Sequence, residues 1–543
     1  MKNLKNNLVI ACLIIFSQGI IAQSAPFEIS LEPMSIANLG GIQSYAFGQS
    51  NGKWLLLGGR LDGLHRRQPW ASFDSAGNNN QLIVVDPLTA EVWQAPLTGL
   101  NTSIQEQLRS TNMEFYQEGS YLYCLGGYGF SPTINDHTTY DQLIAIKVDE
   151  VIDAIISGQD LTPYFRQITD TEFQVTGGRL KKIDDTFYLL GGQKFLGPYN
   201  PMGPNNGPGF IQEYTDAIRR FNLTDDGTTI TINHLTPYTD ATNLHRRDYN
   251  AEAQILPDGA QGITMFSGVF QPEVNLPFLN SVTVDADNYA VDNNFQQYYN
   301  HYHCPVLPIY SAQNNEMHTV FFGGIAQFYD QAGTLVQDDN VPFVNTIARV
   351  TRDSSGNLAE FKLPVELPAL LGAGAEFIPN LTFPHYANEV FQLDNLTTDY
   401  TLIGYIFGGI SSTQANIFFI NNGTQSSASN QIFKVLIRKP LTLSSDELNQ
   451  SSNSRLNLTI YPNPNDGKLK VAFYTNDTKE ATLTIRDISG KILDRSLLTD
   501  LVMGTNHIEK NIEHLTPGNV YFVSLETSNQ KTTHKLIIKR SRH

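Results

Sequence analysis

The chain has 543 residues, 41% of them apolar, with 41 glycines, 24 tyrosines, 30 phenylalanines and a formal charge of −17. That length calls for two or three folding units, and the glycine- and aromatic-rich balance favours strands and turns. Residues 1–22 carry two lysines and no acid, and 455–543 carries 13 basic against 9 acidic residues, so 23–454 holds −23; a surface this acidic argues against a nucleic-acid partner.

In chain order, residues 1–22 read as a secretory signal peptide. Lys2 and Lys5 precede an apolar run over 8–16, and small residues follow at 22–25. No later stretch has 18 apolar residues in a row, so no transmembrane segment is expected in the mature chain. Cys12 leaves with the signal, and Cys124 and Cys304 read as buried free thiols rather than a disulfide framework.

An apolar run closed by two small residues then recurs six times. The copies are "WLLLGG" (54–59), "YLYCLGG" (121–127), "TFYLLGG" (186–192), "GITMFSG" (262–268), "TVFFGG" (319–324) and "GYIFGG" (404–409). Each follows a strand-like run and a tight turn, and each is followed, after a variable loop, by another strand such as "QLIVVD" or "NTIARV". Four strands per unit and six units describe an all-β, six-bladed β-propeller. The double glycine suits a strand end where neighbouring backbones approach too closely for a Cβ. The pattern resembles the kelch family of propellers over 26–439, although the later Tyr and Trp positions of that family are only partly kept and Ser267-Gly268 replaces one Gly-Gly. The sixth unit lacks a clear fourth strand, whereas "PFEISLEP" (26–33) is a strand without a unit; the expectation is that 26–33 completes the sixth blade and closes the ring.

A Ser/Asn/Gln-rich linker spans 440–454. From 455 to 543, alternating apolar residues and turn pairs predict a small β-sandwich. Tyr461-Pro462-Asn463-Pro464, the D-x-x-G-K turn ending in Gly490 and Lys491, Gly518 ahead of Tyr521, and a closing "KLIIKR" resemble the type A sorting domain of the Bacteroidetes type IX secretion system. The resemblance implies handling by that machinery and a protein secreted or held at the outer cell surface.

The tetrapeptide LHRR occurs at 64–67, after the first diglycine, and at 244–247, ahead of the fourth unit. These are not equivalent repeat positions. In an up-and-down blade, however, the loops joining strands two and three share a face with those joining one blade to the next. That face also carries the long loops, 60–80, 193–215 and 325–344. Arg66, Arg67 and Arg247 are therefore candidates for one anion-recognising patch; the alternative is pairing with the unit's own acids, such as Asp62 and Asp248. The starts of the first strands ring the channel mouth and add Asp248, Tyr249, His303, His385 and Tyr386 as candidate ligand-binding residues. Neighbouring histidines there serve equally as polar channel groups, and no metal or cofactor is assigned.

Two function classes remain. One is a secreted or surface propeller that binds a glycan or a protein through its long-loop face. The other is a carbohydrate-active enzyme on the same scaffold; kelch propellers include a sialic-acid mutarotase, whose carboxylated sugar would suit the arginines. A concave pocket uniting Arg66, Arg67 and Arg247 with a carboxylate points to the enzyme, and a flat aromatic face to binding. Deleting 456–543 is expected to leave the protein in the periplasm; its recovery outside the cell would refute the sorting assignment.

Overall fold

The computed structural model describes residues 25–68, 71–200, 209–440, 456, 458–465, 467–475, 480–488, 490–517, 519–527 and 531–539. The expected signal peptide, residues 441–454 of the expected linker, and Gly518 lie outside them. Two compact units divide at 440/441; each is described by itself.

The first unit contains six up-and-down antiparallel runs of four strands; the second run belongs to a seven-stranded sheet, and the fifth to a five-stranded one that adds the short parallel strand Phe391–Gln392. The first comprises Ala46–Ser50, Lys53–Leu57, Gln81–Asp86 and Glu91–Pro96. The second comprises Thr111–Glu118, Tyr121–Ser131, Gln142–Lys147 and Phe165–Thr169. Arg179–Ile183, Thr186–Leu190, Ala217–Asp225 and Ile230–Thr239 form the third. Asn250–Ile255, Gln261–Phe266, Ser281–Val284 and Tyr289–Asp292 form the fourth. The fifth is Val306–Ser311, Glu316–Ile325, Phe343–Arg352 and Leu358–Glu366. The sixth takes Ala375–Pro379, Thr401–Gly408 and Ile432–Arg438 from one end of the unit and Glu28–Met34 from the other. Glu28–Met34 pairs with Ile432–Arg438 from Glu28↔Arg438 to Met34↔Ile432, and Arg438 binds Glu28 at 2.6 Å.

Side chains alternate across a strand, so each sheet buries both faces. Leu55 and Leu57 pack with Leu122, Cys124 and Ile144 of the second sheet. Trp54 and Leu56 point the other way, into Tyr405, Phe407 and Ile378 of the sixth. The second and third, third and fourth, fourth and fifth, and fifth and sixth sheets share clusters in the same way. Burial on both faces explains why the second strands read as unbroken apolar runs, each buried Leu or Phe contributing about 1.5–3 kcal/mol.

The small pair closing those runs is a latch between sheets. At Gly126-Gly127 both residues have positive φ, +65° and +86°. A Cβ on Gly126 would lie 1.9 Å from the carbonyl oxygen of Val175, in the connection to the third sheet. That same carbonyl accepts Gly127 N–H at 2.9 Å, and Gly59, Gly192, Gly324 and Gly409 donate equivalent bonds to Ser110, Arg246, Leu371 and Ile42. A second set of bonds closes on itself. Ser44 O accepts Asn112 N–H, Asn112 O accepts Gly177, Gly177 O accepts Asp248, Asp248 O accepts His303, His303 O accepts Gly374, and Gly374 O accepts Ser44, all at 2.7–3.3 Å. One residue from the entry to each sheet thus joins a ring of six backbone hydrogen bonds.

Two helices interrupt the all-β pattern. Val148–Ser157 buries Val148, Val151, Ile152, Ala154 and Ile155 and ends at Gly158 with φ +68°. Thr102–Leu108 is capped by Asn101, whose side chain accepts Ile104 N–H. Both are too short to outweigh the strand signals around them.

The second unit has a three-stranded sheet, Thr459–Tyr461, Lys468–Thr475 and Gly504–Asn511. A four-stranded sheet comprises Ala481–Arg486, Ile492–Leu498, Val520–Glu526 and Lys531–Ile537. Both sheets contribute to one core that includes Leu469, Phe473, Ile485, Val523 and Leu536. The Tyr-Pro-Asn-Pro segment is tied to the last strand: Asn463 donates to Lys535 O at 2.7 Å and accepts Ile537 N–H at 2.9 Å. Tyr521 is buried and donates to Thr516 O, while Gly490 turns the chain at φ +84° ahead of Lys491, whose N–H reaches Asp487.

The latch has a measurable cost attached. Gly126→Ala adds a backbone clash to the roughly 1–2 kcal/mol strain of positive φ. Gly52→Ala, with φ +76° and open space around it, carries the strain alone. Denaturant titration is expected to rank Gly126→Ala as clearly the more destabilising; equal losses would refute the latch.

Candidate functional site

Above the ring of six backbone bonds lies a cavity of about 660 Å³. Five sheets supply walls from the strand two-to-three loop, through Phe73, Tyr214, Phe270, Val341 and Phe419, and the second supplies Tyr128 from the far part of its second strand. The entries to the sheets supply the floor through Ser44, Asn112, Thr176, Asp248, His303 and Gly374. Both LHRR copies reach it: His65 and Arg67 from the first, His245 and Arg247 from the second.

The adjacent arginines of each copy divide their work. Arg246 is fully buried, over the Phe278 ring, and donates to Asn243 O and Ser267 O at 2.6 Å and to Asn280 O at 3.1 Å and its Oδ1 at 2.5 Å. Burial pushes its pKa down to about 9, and its work is to hold the fourth sheet's loop. Arg247 turns into the cavity, where Nε donates to Tyr214 Oη at 3.0 Å and Nη1 pairs with Asp248. Burial opposes its charge, but Tyr214 and Asp248 outweigh burial and keep the guanidinium protonated. In the first copy, Arg66 is exposed and lies against Gly423, outside the cavity lining. Arg67 lies over the Phe419 ring at 5.1 Å and makes no ion pair among the described residues. A third guanidinium, Arg60, is buried and neutralised by Asp62 at 2.6 and 2.7 Å.

The histidines of the two copies are also placed differently. His65 packs on Tyr199 and Phe73, and burial together with the nearby Arg247 charge pushes it down to about 4. His245 Nδ1 lies 2.6 Å from Asp216 Oδ1, and its ring stacks on Tyr214 at 3.7 Å between centroids. Below the floor, His303 Nε2 approaches Glu376 Oε1 to 2.8 Å without hydrogen-bond alignment. Burial and Arg179 lower the His303 pKa. Burial also holds Glu114, whose Oε1 accepts Gly178 N–H, well above the usual carboxylate range. A separate cavity of about 150 Å³ opens on the far side of these groups.

Of the sequence candidates, Arg67, Arg247, Asp248 and His303 meet at the cavity. Arg66 does not. Tyr249 is a core residue whose hydroxyl donates to Leu190 O at 2.8 Å. His385 and Tyr386 need a correction as well. The sixth sheet's first strand is Ala375–Pro379, so they follow it, in the one-to-two loop; His385 Nδ1 contacts Phe383 O and Tyr386 packs on Tyr310. The long insertion before Thr401–Gly408 displaced the reading. Tyr214, His245 and Asp216 were missed. His245 sits inside the duplicated tetrapeptide, but its carboxylate partner lies 29 residues away in sequence, where no local pattern marks it. No group of three or more His, Cys, Asp or Glu suited to a metal occurs among the described residues.

A model of the secretion system C-terminal sorting domain matches residues 459–539. No curated protein matches the chain. Among solved structures, that of YjhT aligns at 9% identity over 75% of this chain and 99% of its own, with a TM-score of 0.39. A fungal alcohol oxidase of the AA5 family, in complex with copper, aligns at 9% identity over 95% and 100%, with a TM-score of 0.37. Both scores are too low to carry an argument about fold or activity. The sorting domain directs export by type IX secretion to the cell surface or the extracellular space. No helix among the described residues is long and apolar enough to cross a membrane.

The split between the arginines predicts a split in stability. Arg246→Ala leaves several buried acceptors unpaired and is expected to cost about 3 kcal/mol or more, whereas Arg67→Ala leaves the melting midpoint nearly unchanged. Equal shifts for the two variants would remove the division of roles.

Proposed function

We propose that the first unit is a six-bladed, kelch-like β-propeller over 26–439 and that the exported protein binds an acidic glycan in the cavity of its long-loop face. Cyclic sheet packing and the closed ring of backbone bonds support the propeller reading. Residues 1–22 serve as the signal peptide, 440–454 as the linker and 455–543 as the sorting domain.

The observation that carries the ligand class is the presence of Arg67 and Arg247 in the lining of one cavity, beside Tyr and Phe rings, inside a strongly acidic unit. Guanidinium forks suit carboxylate or sulfate groups, and Tyr and Phe rings suit the apolar faces of sugars. A volume of about 660 Å³ fits one end of an oligosaccharide better than the broad surface of a folded protein. The concave shape and the Asp248 carboxylate beside Arg247 also favour the second reading, a carbohydrate-active enzyme.

A glycan array and thermal-shift screen of the full chain tests this, with sialylated, sulfated and uronic-acid sugars beside neutral ones. Arg247→Ala or Arg67→Ala is expected to weaken acidic ligands by about 1.5–3 kcal/mol each, the range of charge-assisted bonds, and neutral ligands far less. Equal losses for both ligand classes would overturn the anion-recognition reading.

A further inference from the structure

On one wall of the cavity, the segment 214–216 and the second LHRR copy place a carboxylate-held imidazole and a guanidinium against one phenol. We propose that the protein cleaves the acidic glycan it binds by β-elimination at a uronic acid residue, with His245 as the base and Tyr214 as the acid. This rests on the acidic-glycan reading above and extends it from binding to chemistry.

His245 is equipped to take a proton. Asp216 Oδ1 accepts Nδ1–H at 2.6 Å, which leaves the lone pair on Nε2. Nε2 has no hydrogen-bond partner among the described residues, and the ring lines the cavity. Stacking on Tyr214, with the planes 17° apart, fixes the ring's orientation. A base oriented by a third group is the arrangement that proton abstraction requires.

Tyr214 is equipped to give one. Its oxygen accepts from Arg247 Nε at 3.0 Å and from Phe270 N–H at 3.3 Å. Both lone pairs are thereby engaged, and its own O–H has no acceptor among the described residues. The face-to-face stack keeps the phenol and the imidazole within reach of one sugar residue.

The two cavity arginines complete the set. A uronate carboxylate beside Arg67, which has no ion pair among the described residues, and near Arg247, whose charge it would share with Asp248, has its own charge offset, which acidifies the proton on the carbon next to it and stabilises the enolate that follows. His245 removes that proton. The electron pair forms a double bond to the neighbouring carbon, whose bond to the glycosidic oxygen breaks, and the departing oxygen takes the proton from Tyr214. The proton then passes from His245 back to Tyr214, so atoms and electrons balance without water, an oxidant or another reactant; the products are an unsaturated uronate and a new reducing end. Hydrolysis by two carboxyl groups is less well provided for. Of the acids lining the cavity, Asp248 is held by Arg247 and Asp339 by Gln327 and Gln337.

The test incubates the full chain with polygalacturonate, alginate and hyaluronan and follows the ultraviolet absorbance of the conjugated double bond. Binding is measured in parallel by calorimetry. The expected result is a rise in absorbance with at least one polymer. His245→Gln and Tyr214→Phe should each cut the rate by about 10²-fold or more, the usual contribution of general acid–base groups, while calorimetric binding persists. Three results would overturn the elimination and leave the binding reading standing: polyuronate binding without absorbance, new reducing ends without a double bond, or full rates in both variants. Absence of binding to every polyuronate would overturn the elimination too, and sulfated or sialylated ligands would then decide the binding reading separately.

Discussion

Six backbone hydrogen bonds, passed head to tail from the entry of one sheet to the next, are the constraint on which the first unit depends. Each bond needs its neighbour sheet in place. The latch formed by the small pairs works alongside it, because the carbonyl that crowds the first glycine also satisfies the N–H of the second. Side-chain packing alone would set the sheets face to face; these backbone contacts fix their angular spacing. Five of the six ring residues have left-handed φ, which suits Gly177 and Gly374 together with Ser44, Asn112 and Asp248; His303 is the exception.

The same ring positions the chemistry. Its residues stand at the foot of the loops, so Asp248 and His303 are simultaneously links in the scaffold and floor of the cavity. Arg247 illustrates the economy of this. Its own N–H and carbonyl pair with Val269, its preceding neighbour Arg246 pins the fourth sheet's loop, and its following neighbour Asp248 belongs to the ring. Only its side chain is left for the cavity.

Charge sets the cavity apart from the unit that contains it. Over 23–454 the chain holds −23, yet three guanidiniums line this one concavity; Asp62 pairs with Arg60 and Asp248 with Arg247, while Arg67 has no ion pair among the described residues. Exposed acidic turns such as Asp226, Asp285 and Asp353 spend their carboxylates on nearby backbone N–H groups. Much of the acidity is thus spent on turns, whereas three guanidiniums share one concavity.

The unit's strand pattern was legible in the chain because a repeated local rule wrote it: an apolar run, two small residues, a turn. The sorting domain was legible for the same reason, since Tyr461–Pro464 and the closing strand are short motifs in fixed order. The site was only partly legible. Arg67 and Arg247 could be assigned to one face by counting strands, which is a local operation. That Arg66 and Arg246 would turn away from the cavity could not be counted, because it depends on Gly423 and Asn280, hundreds or tens of residues distant in sequence. His385 and Tyr386 were misplaced because a long insertion hid where the sixth sheet's first strand lies. His245 gains its carboxylate partner from a loop of the preceding sheet, 29 residues back. Local periodicity sets strands and turns, and the chain carries that alone; which side chains converge depends on contacts between sheets, and those exist only once the ring has closed.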